Sequence, residues 1–336
     1  CIRDRYKYRL NFYKKGKKIM TKNRIGIDVG GTNVKIALVT SDGKITYSNS
    51  VPTRAEMGYE YTVNNMKQAI HDLMAETKMS SKDIQGIGFG LPGQVDFKSG
   101  IVRLITNIPG WVEIPLAKII EDEFHIPTRI DNDVRCAALG ELNFGAGKGC
   151  ENLICITVGT GIGSGLIVNG KLVRGASNAA GEIGHIKLQI HDGPICGCGD
   201  TGCLEAFASG PSIVAMAEEY IKGGKSTKYR EMANGAAITP YIVSEAAKAG
   251  DPVAKRIFTI MGEYIGVGMA SVVNLLNPEK IIVGGGVADA GDLLLAPLKE
   301  TLKKRAMKIA GEAVEVVPAQ LGNTAGVIGA SLLIES

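Results

Sequence analysis

Two glycine- and threonine-rich turns, each held between a pair of apolar runs, constrain this chain more than any other feature. The first reads Asp28-Val29-Gly30-Gly31-Thr32-Asn33, between RIGIDV and NVKIALVT. The second, Thr157-Val158-Gly159-Thr160-Gly161-Ile162-Gly163, lies inside LICITVGTGIGSGLIVNGKLV. Short apolar runs bounded by glycine are strand signals. A turn without Cβ atoms exposes several backbone N–H groups in one concavity, which makes an anion cradle. The first turn is neither a P-loop nor a dinucleotide fingerprint, because GxxxxGK[ST] is missing and a strand stands where those motifs need a helix. Helices follow each opening, so two similarly built α/β halves are expected, with mixed or parallel central sheets covered on both faces.

The rest of the chain agrees. KITYSNSV after the Asp42-Gly43 turn reads as a third strand. Met66, Ile70, Leu73 and Met74 recur at helical spacing over 64–77. Residues 84–93 return as a buried strand ending in a Gly/Pro loop, and 129–133 as a strand end running into a helix. Thr239-Pro240 and Asp251-Pro252 each set a capping residue before a first-turn proline, the second opening a helix that Pro278 stops. KIIVGGGVA (280–288) is a strand running into glycine, followed by a helix near 292–307 and a strand at 313–317. Its Gly284-Gly285-Gly286 run would let a flat purine lie against the backbone.

Charge narrows the partners. The formal net charge is +4, but residues 1–20 carry eight Lys/Arg and one Asp, leaving 30 basic and 33 acidic side chains for the rest. That body, at −3, is mildly acidic and unsuited to a polyphosphate backbone, so no nucleic-acid partner is expected. Residues 1–23 read as a basic extension, and Met20, just before the first strand, reads as a natural start. No apolar run approaches the roughly 18–20 residues of a membrane span, and the leader lacks the apolar stretch of a secretory signal. Seven cysteines, three of them within eight residues, point to a reducing compartment, so a cytoplasmic location is expected.

Two constellations carry chemistry. Asn132-Asp133 follows a strand and opens a helix bearing Glu141, which places a carboxylate where it can accept a hydroxyl proton. A plain helix N-cap is the alternative for either residue. Asp28, at a strand end, can hold Mg²⁺, and Thr32 can donate to phosphate. Further on, Glu182-Ile183-Gly184-His185 precedes Cys196-Gly197-Cys198-Gly199-Asp200-Thr201-Gly202-Cys203-Leu204-Glu205. Three thiolates suit tetrahedral Zn²⁺ and need a fourth ligand, from His185 or His191. Such a closed site would be structural, bracing a loop that carries Glu182 and Glu205. Both carboxylates can accept hydrogen bonds from sugar hydroxyls, and placing a hydroxyl for in-line attack is most of what phosphoryl transfer requires.

IDVGGTNVK, GFGLPGQVD, NIPGW, IDNDVRCAALGE, VGTGIGSGLIVNGK, GEIGH, CGCGDTGCLE and IIVGGGVA together resemble the ROK family of sugar kinases and repressors, and within it the bacterial glucokinases. The resemblance covers about 24–334, and GEIGH with CGCGDTGCLE is its most specific part. It implies an actin-like, ribonuclease-H-like ATPase fold: a small α/β domain (24–133 plus 322–336), a large one (134–321) with the zinc loop, and a cleft between them. It implies Asp133 as catalytic base and a sugar site of Asn132, Asp133, Glu182, His185 and Glu205, with Gly93 and Asn107 nearby. Zinc would bind His185, Cys196, Cys198 and Cys203. Mg²⁺–ATP would lie between Asp28, Gly30, Gly31, Thr32 and Asn33 on one side and Gly159, Thr160, Gly161 and Gly163 on the other, reaching Gly284, Gly285 and Gly286.

The implied reaction is phosphorylation of glucose to glucose 6-phosphate by a homodimer or homotetramer. Mannose, fructose and N-acetylmannosamine are the alternative acceptors, and a non-enzymatic sugar sensor is the alternative class. Family repressors carry a winged-helix domain before the first phosphate motif, and the 27 residues before Asp28 are too few for one. A structural actin-like ATPase would not need the braced Glu182/Glu205 pair.

Overall fold

Branched apolar side chains fill NRIGIDV and NVKIALV, the composition that packs best on a pleated surface, and nearly all of them are buried. The two segments pair antiparallel around the first glycine turn, with Asp28 opposite Lys35. The computed structural model describes residues 23–105 and 108–335, so the extension expected over 1–23, Asn23 excepted, lies outside the described residues.

The first half runs β1 (Asn23–Val29), β2 (Asn33–Val39), β3 (Ile45–Pro52), α1 (Gly58–Thr77), β4 (Ile84–Leu91), β5 (Gln94–Asp96), β6 (Ile101–Leu104), β7 (Val112–Ile114), α2 (Leu116–Phe124), β8 (Thr128–Asn132) and α3 (Asp133–Phe144). The second opens with β9 (Leu153–Val158), β10 (Ile162–Val168) and β11 (Lys171–Leu172). Five helices follow: α4 (Leu204–Ala208), α5 (Gly210–Lys222), α6 (Lys228–Ala233), α7 (Pro240–Lys248) and α8 (Pro252–Leu276). The chain closes with β12 (Lys280–Gly284), α9 (Asp292–Arg305), α10 (Lys308–Ala313), β13 (Glu315–Pro318) and α11 (Ala325–Ser331).

The expected duplication is present in the strand order. One sheet runs β3-β2-β1-β4-β8 and the other β11-β10-β9-β12-β13. In each, three antiparallel strands come first and two parallel strands are added on the far side of the founding strand. Each sheet is therefore mixed. Helices α3 and α11 pack on each other, α11 also lying on β1 and β4 and α3 on β9 and β10. At their crossing a Cβ on Gly329 would stand 1.6 Å from the Cys136 carbonyl oxygen, so only glycine fits.

Several local expectations are met. Thr239 accepts the Ile242 N–H at 3.2 Å, and Asp251 accepts those of Val253 and Ala254, each capping a helix with proline in its first turn. Other expectations need correction. Helix α1 starts at Gly58, six residues before the apolar repeat, and the last strand is 315–318. The small antiparallel sheet β5-β6-β7 was not anticipated, because strands of three or four residues are too short to show a period. Glu205 lies in the first turn of α4 and not in a loop.

Helix α8 is the exception to the expected absence of long apolar stretches. Its 25 residues reach a mean hydropathy of 1.3 in their most apolar window, half of which is buried. Ile257, Phe258, Met261, Ile265 and Met269 line its inner side in a core shared with Leu294, Leu298 and Leu302 of α9. It is a core helix.

Candidate active site

Ligands of open α/β sheets bind beyond the carboxyl ends of the strands. Here five such ends converge: Asp28 on β1, the Pro92-Gly93 loop after β4, Asn132 on β8, Thr157 on β9 and Gly284 on β12. Three adjoining cavities open among them.

The first, about 280 Å³, is lined by Gly93, Asn132, Asp133, Glu182, His185 and Glu205 and by Gly159, Thr160, Gly161 and Gly163 of the second turn. The second, about 370 Å³, is lined by Asp28, Lys35, Gly284, Gly285 and Gly286. The two share Asp133, Val134, Thr157 and Gly285. The third, about 690 Å³, has apolar walls of Pro211, Ile213, Val214, Pro240, Phe258 and Val287. It meets the first cavity at Gly159 and Thr160 and the second at Gly286 and Asp289.

Gly30, Gly31, Thr32 and Asn33 line none of these cavities. Their turn is closed on itself: the Gly30 N–H donates to the Asn33 carbonyl at 2.9 Å. The Thr32 carbonyl accepts the Thr53 N–H, and the Thr53 hydroxyl donates to the Gly30 carbonyl. That internal bonding commits part of the backbone expected to face an anion. Asn107 lies outside the described residues.

Of the two residues at the start of α3, Asn132 is the cap. The Asn132 side chain caps α3, its Oδ1 accepting the Val134 N–H at 3.0 Å and the Arg135 N–H at 3.3 Å. Asp133, which also accepts the Val134 N–H at 2.9 Å, is left facing both cavities. Burial, reinforced by the neighbouring Asp28 carboxylate, pushes the Asp133 carboxyl up to about 7. Burial also raises Asp28, against the pull of Lys35, whose Nζ lies 4.0 Å from Asp28 Oδ2.

Lys35 is the functional candidate that sequence reasoning missed, and a signal for it existed. A four-residue turn over Gly30–Asn33 pairs Val29 with Val34, which sets Lys35 directly opposite Asp28. Its Nζ also donates to the Asn323 carbonyl at 3.2 Å, which aims it into the second cavity. The apolar third cavity was missed too, since its walls come from α5, α7, α8 and the segment after β12.

The second turn is held from outside. The Ile162 N–H donates to Glu205 Oε2 at 2.9 Å, and the Gly159 carbonyl accepts the Gly210 N–H at 2.7 Å. Gly285 has φ +88, and a Cβ there would stand 2.4 Å from the Val158 carbonyl oxygen. Within the third glycine run, Gly285 is therefore required by close approach to the end of β9.

Four metal-type donors cluster beside this turn. One ligand atom each from His185, Cys196, Cys198 and Cys203 lie within 4.8 Å of one another, and His191 is outside the group. A tetrahedral zinc with Zn–S bonds near 2.3 Å implies sulfur–sulfur edges of about 3.8 Å. Cys198 Sγ and Cys203 Sγ are 3.8 Å apart, and Cys196 Sγ and His185 Nδ1 are 3.7 Å apart. Lys187 Nζ, 3.1 Å from Cys203 Sγ, adds a cation beside the thiols. The donor set fits a structural zinc.

The sequence profile described as the ROK family matches residues 24–336. A glucokinase of Halalkalibacterium halodurans is 38% identical over 312 residues, covering 93% of this chain and 94% of that protein. A xylose repressor of Caldicellulosiruptor bescii is 32% identical over 93% of this chain and 78% of the repressor. Among solved structures, a ROK family glucokinase from Streptomyces griseus, in complex with glucose and AMPPNP, superposes with a TM-score of 0.78 at 35% identity, covering 93% of this chain and 98% of that one. The paired mixed sheets are thus those of the actin-like, ribonuclease-H-like ATPase fold. With one profile spanning both sheets and the residues at their strand ends, the chain belongs to the ROK family.

Proposed function

We propose that this protein transfers the γ-phosphoryl group of ATP to the 6-hydroxyl of glucose. The observation that carries the reading is that the first and second cavities meet at Asp133. A sugar in the first cavity, hydrogen-bonded by Asn132, Glu182, His185 and Glu205, would present one hydroxyl to that carboxylate. A phosphate chain in the second would lie against Gly284–Gly286 with Lys35 beside it. The apolar third cavity, with Gly286 at its edge, suits a nucleobase better than the whole glycine run does. The similarity to glucokinases, one of them solved with glucose and AMPPNP, supports the same assignment.

Catalysis on this reading is positioning plus charge. Asp133 accepts the hydroxyl proton, and a carboxyl raised to about 7 is a stronger base than an ordinary aspartate. Lys35 offsets charge on the transferring group. Mg²⁺, held at Asp28, would supply further charge neutralisation on the phosphates. A zinc ion on His185, Cys196, Cys198 and Cys203 would brace the segment between Glu182 and Glu205.

The division into 24–133 plus 322–336 and 134–321 belongs to the same proposal. The packing of α11 on β1 and β4 supports grouping the C-terminus with the first sheet. Closure of such domains would exclude water and suppress ATP hydrolysis. A homo-oligomer acting in the cytoplasm without nucleic acid completes the proposal.

A coupled assay of ADP release with glucose, mannose, fructose and N-acetylmannosamine tests it. Glucose should give the highest kcat/KM. A better competitor would move the assignment to another hexose or N-acetylhexosamine. The similarity to a xylose repressor favours a sugar sensor as the second reading, for which no sugar would release ADP.

A further inference from the structure

We propose that Arg135 is a positioning residue for the sugar site, holding the 174–182 segment so that Glu182 faces Asp133. The proposal rests on the reading of the first cavity as the sugar site.

Arg135 lies on α3 two residues after Asp133, is 4% exposed and lines the first cavity. Its Nη2 donates to the carbonyls of Asn178 and Ala180, both at 2.8 Å. Its Nη1 donates to Asp131 Oδ1 at 3.2 Å. Asp131 is fully buried, and its other oxygen accepts Arg174 Nε at 2.7 Å. The Arg174 guanidinium in turn covers the Phe97 ring, 3.6 Å from its centroid. Asn178 Nδ2 donates to Asp96 Oδ1 at 3.1 Å. One buried carboxylate thus ties the segment at both ends, directly through Arg174 and indirectly through Arg135.

The segment needs such ties. Between β11 and the short helical turn at Ile183–His185 it has no strand or helix of its own. Glu182 therefore inherits its position from whatever holds the carbonyls just before it. A planar guanidinium can bond two carbonyls and a carboxylate at once; an ammonium on a flexible stem cannot hold the same fork. Arg135→Lys keeps a cation beside buried Asp131 but frees at least one carbonyl. Misplacing a substrate-positioning group by about 1 Å can cost on the order of 10²-fold in rate.

The experiment compares Arg135→Lys and Arg135→Met with the parent protein. Three quantities are read: KM for glucose and for ATP, melting temperature, and amide hydrogen exchange over 174–184. Arg135→Lys should melt close to the parent, raise the glucose KM by about tenfold or more, and leave the ATP KM within about twofold. Amides over 174–184 should exchange faster in it than in the parent. Arg135→Met should show the same glucose defect with a lowered melting temperature, because Asp131 loses one of its cations. Parent-like glucose KM and exchange in Arg135→Lys would overturn the proposal. So would a parallel rise in both KM values with a lowered melting temperature, the mark of general loosening. If the parent phosphorylates no hexose, the sugar reading fails. The exchange data still decide the clamp, faster exchange supporting it and unchanged exchange overturning it.

Discussion

One oxygen of the Glu205 carboxylate accepts the backbone N–H of Ile162 at 2.9 Å, tying the first turn of α4 to the second glycine turn. The other oxygen lies 3.6 Å from Cys196 Sγ. A single side chain therefore touches the cysteine cluster, the first cavity and the turn expected to hold phosphate. On the proposed reading, bracing by the cluster would act on both substrates, a link that the order of motifs along the chain did not reveal.

Metal removal should accordingly affect glucose and ATP together. The purified protein should hold about one zinc per chain. Stripping it with a chelator should raise both KM values, by about tenfold for glucose and several-fold for ATP. Glu205→Ala should do the same with zinc retained. An ATP KM that stays constant while glucose affinity falls would break the proposed link.

Asp133→Asn should keep both substrates bound and lower kcat by about 10²- to 10⁴-fold, the usual range for a lost general base. Isothermal titration with glucose separates this loss from a folding defect. Near-normal turnover would mean that Asp133 serves only the start of α3.

The raised Asp133 carboxyl sets a pH dependence. Below about 7 the group is protonated and cannot accept a proton, so kcat/KM should rise with pH to a midpoint near 7. Stability should run the opposite way. Between its ordinary value of 3.8 and about 7 the folded protein holds a proton that the unfolded chain has released. Stability from this group is thus full below 3.8 and lost as pH rises through about 7. Asp133→Asn should therefore melt higher than the parent at pH 8 and no higher at pH 4, by differential scanning calorimetry.

Lys35→Met should act on the nucleotide alone. Its Nζ stands 4.0 Å from Asp28 in the second cavity and contributes nothing to the lining of the first. Removing one cation from a phosphate site should raise the ATP KM by about tenfold and leave the glucose KM within about twofold. An equal effect on both would mean that Lys35 holds Asp28 in place instead.

Much of the fold and part of the candidate site were legible because their signals are local. The glycine turns, the capping residues Thr239 and Asp251 and the spacing of Cys196, Cys198 and Cys203 each act within a few residues. Backbone conformation and donor type at one point are enough to recognise them. The strand–turn–strand duplication was legible for the same reason, since a short, largely buried apolar run on either side of a glycine turn is written into each hairpin. Asn132 and Asp133 were legible as a pair, but which one caps α3 was not. That depends on the side-chain angle each adopts against the Pro92-Gly93 loop, where Asn132 Nδ2 lies 3.4 Å from the Gly93 carbonyl.

The amino-acid sequence alone thus determined the kinds of element, their duplication, the metal-type cluster and the carboxylates that could act as base or sugar ligands. Tertiary structure alone decided which of them meet. Arg135 reaches carbonyls 43 and 45 positions away, and Glu205 an amide 43 positions away. Lys35 shares a cavity with Gly284–Gly286, and four distant elements wall the apolar cavity. No local pattern encodes such pairings. They follow from how α3 and α11 pack against the two sheets, and that packing is set by the summed burial of faces from the whole chain.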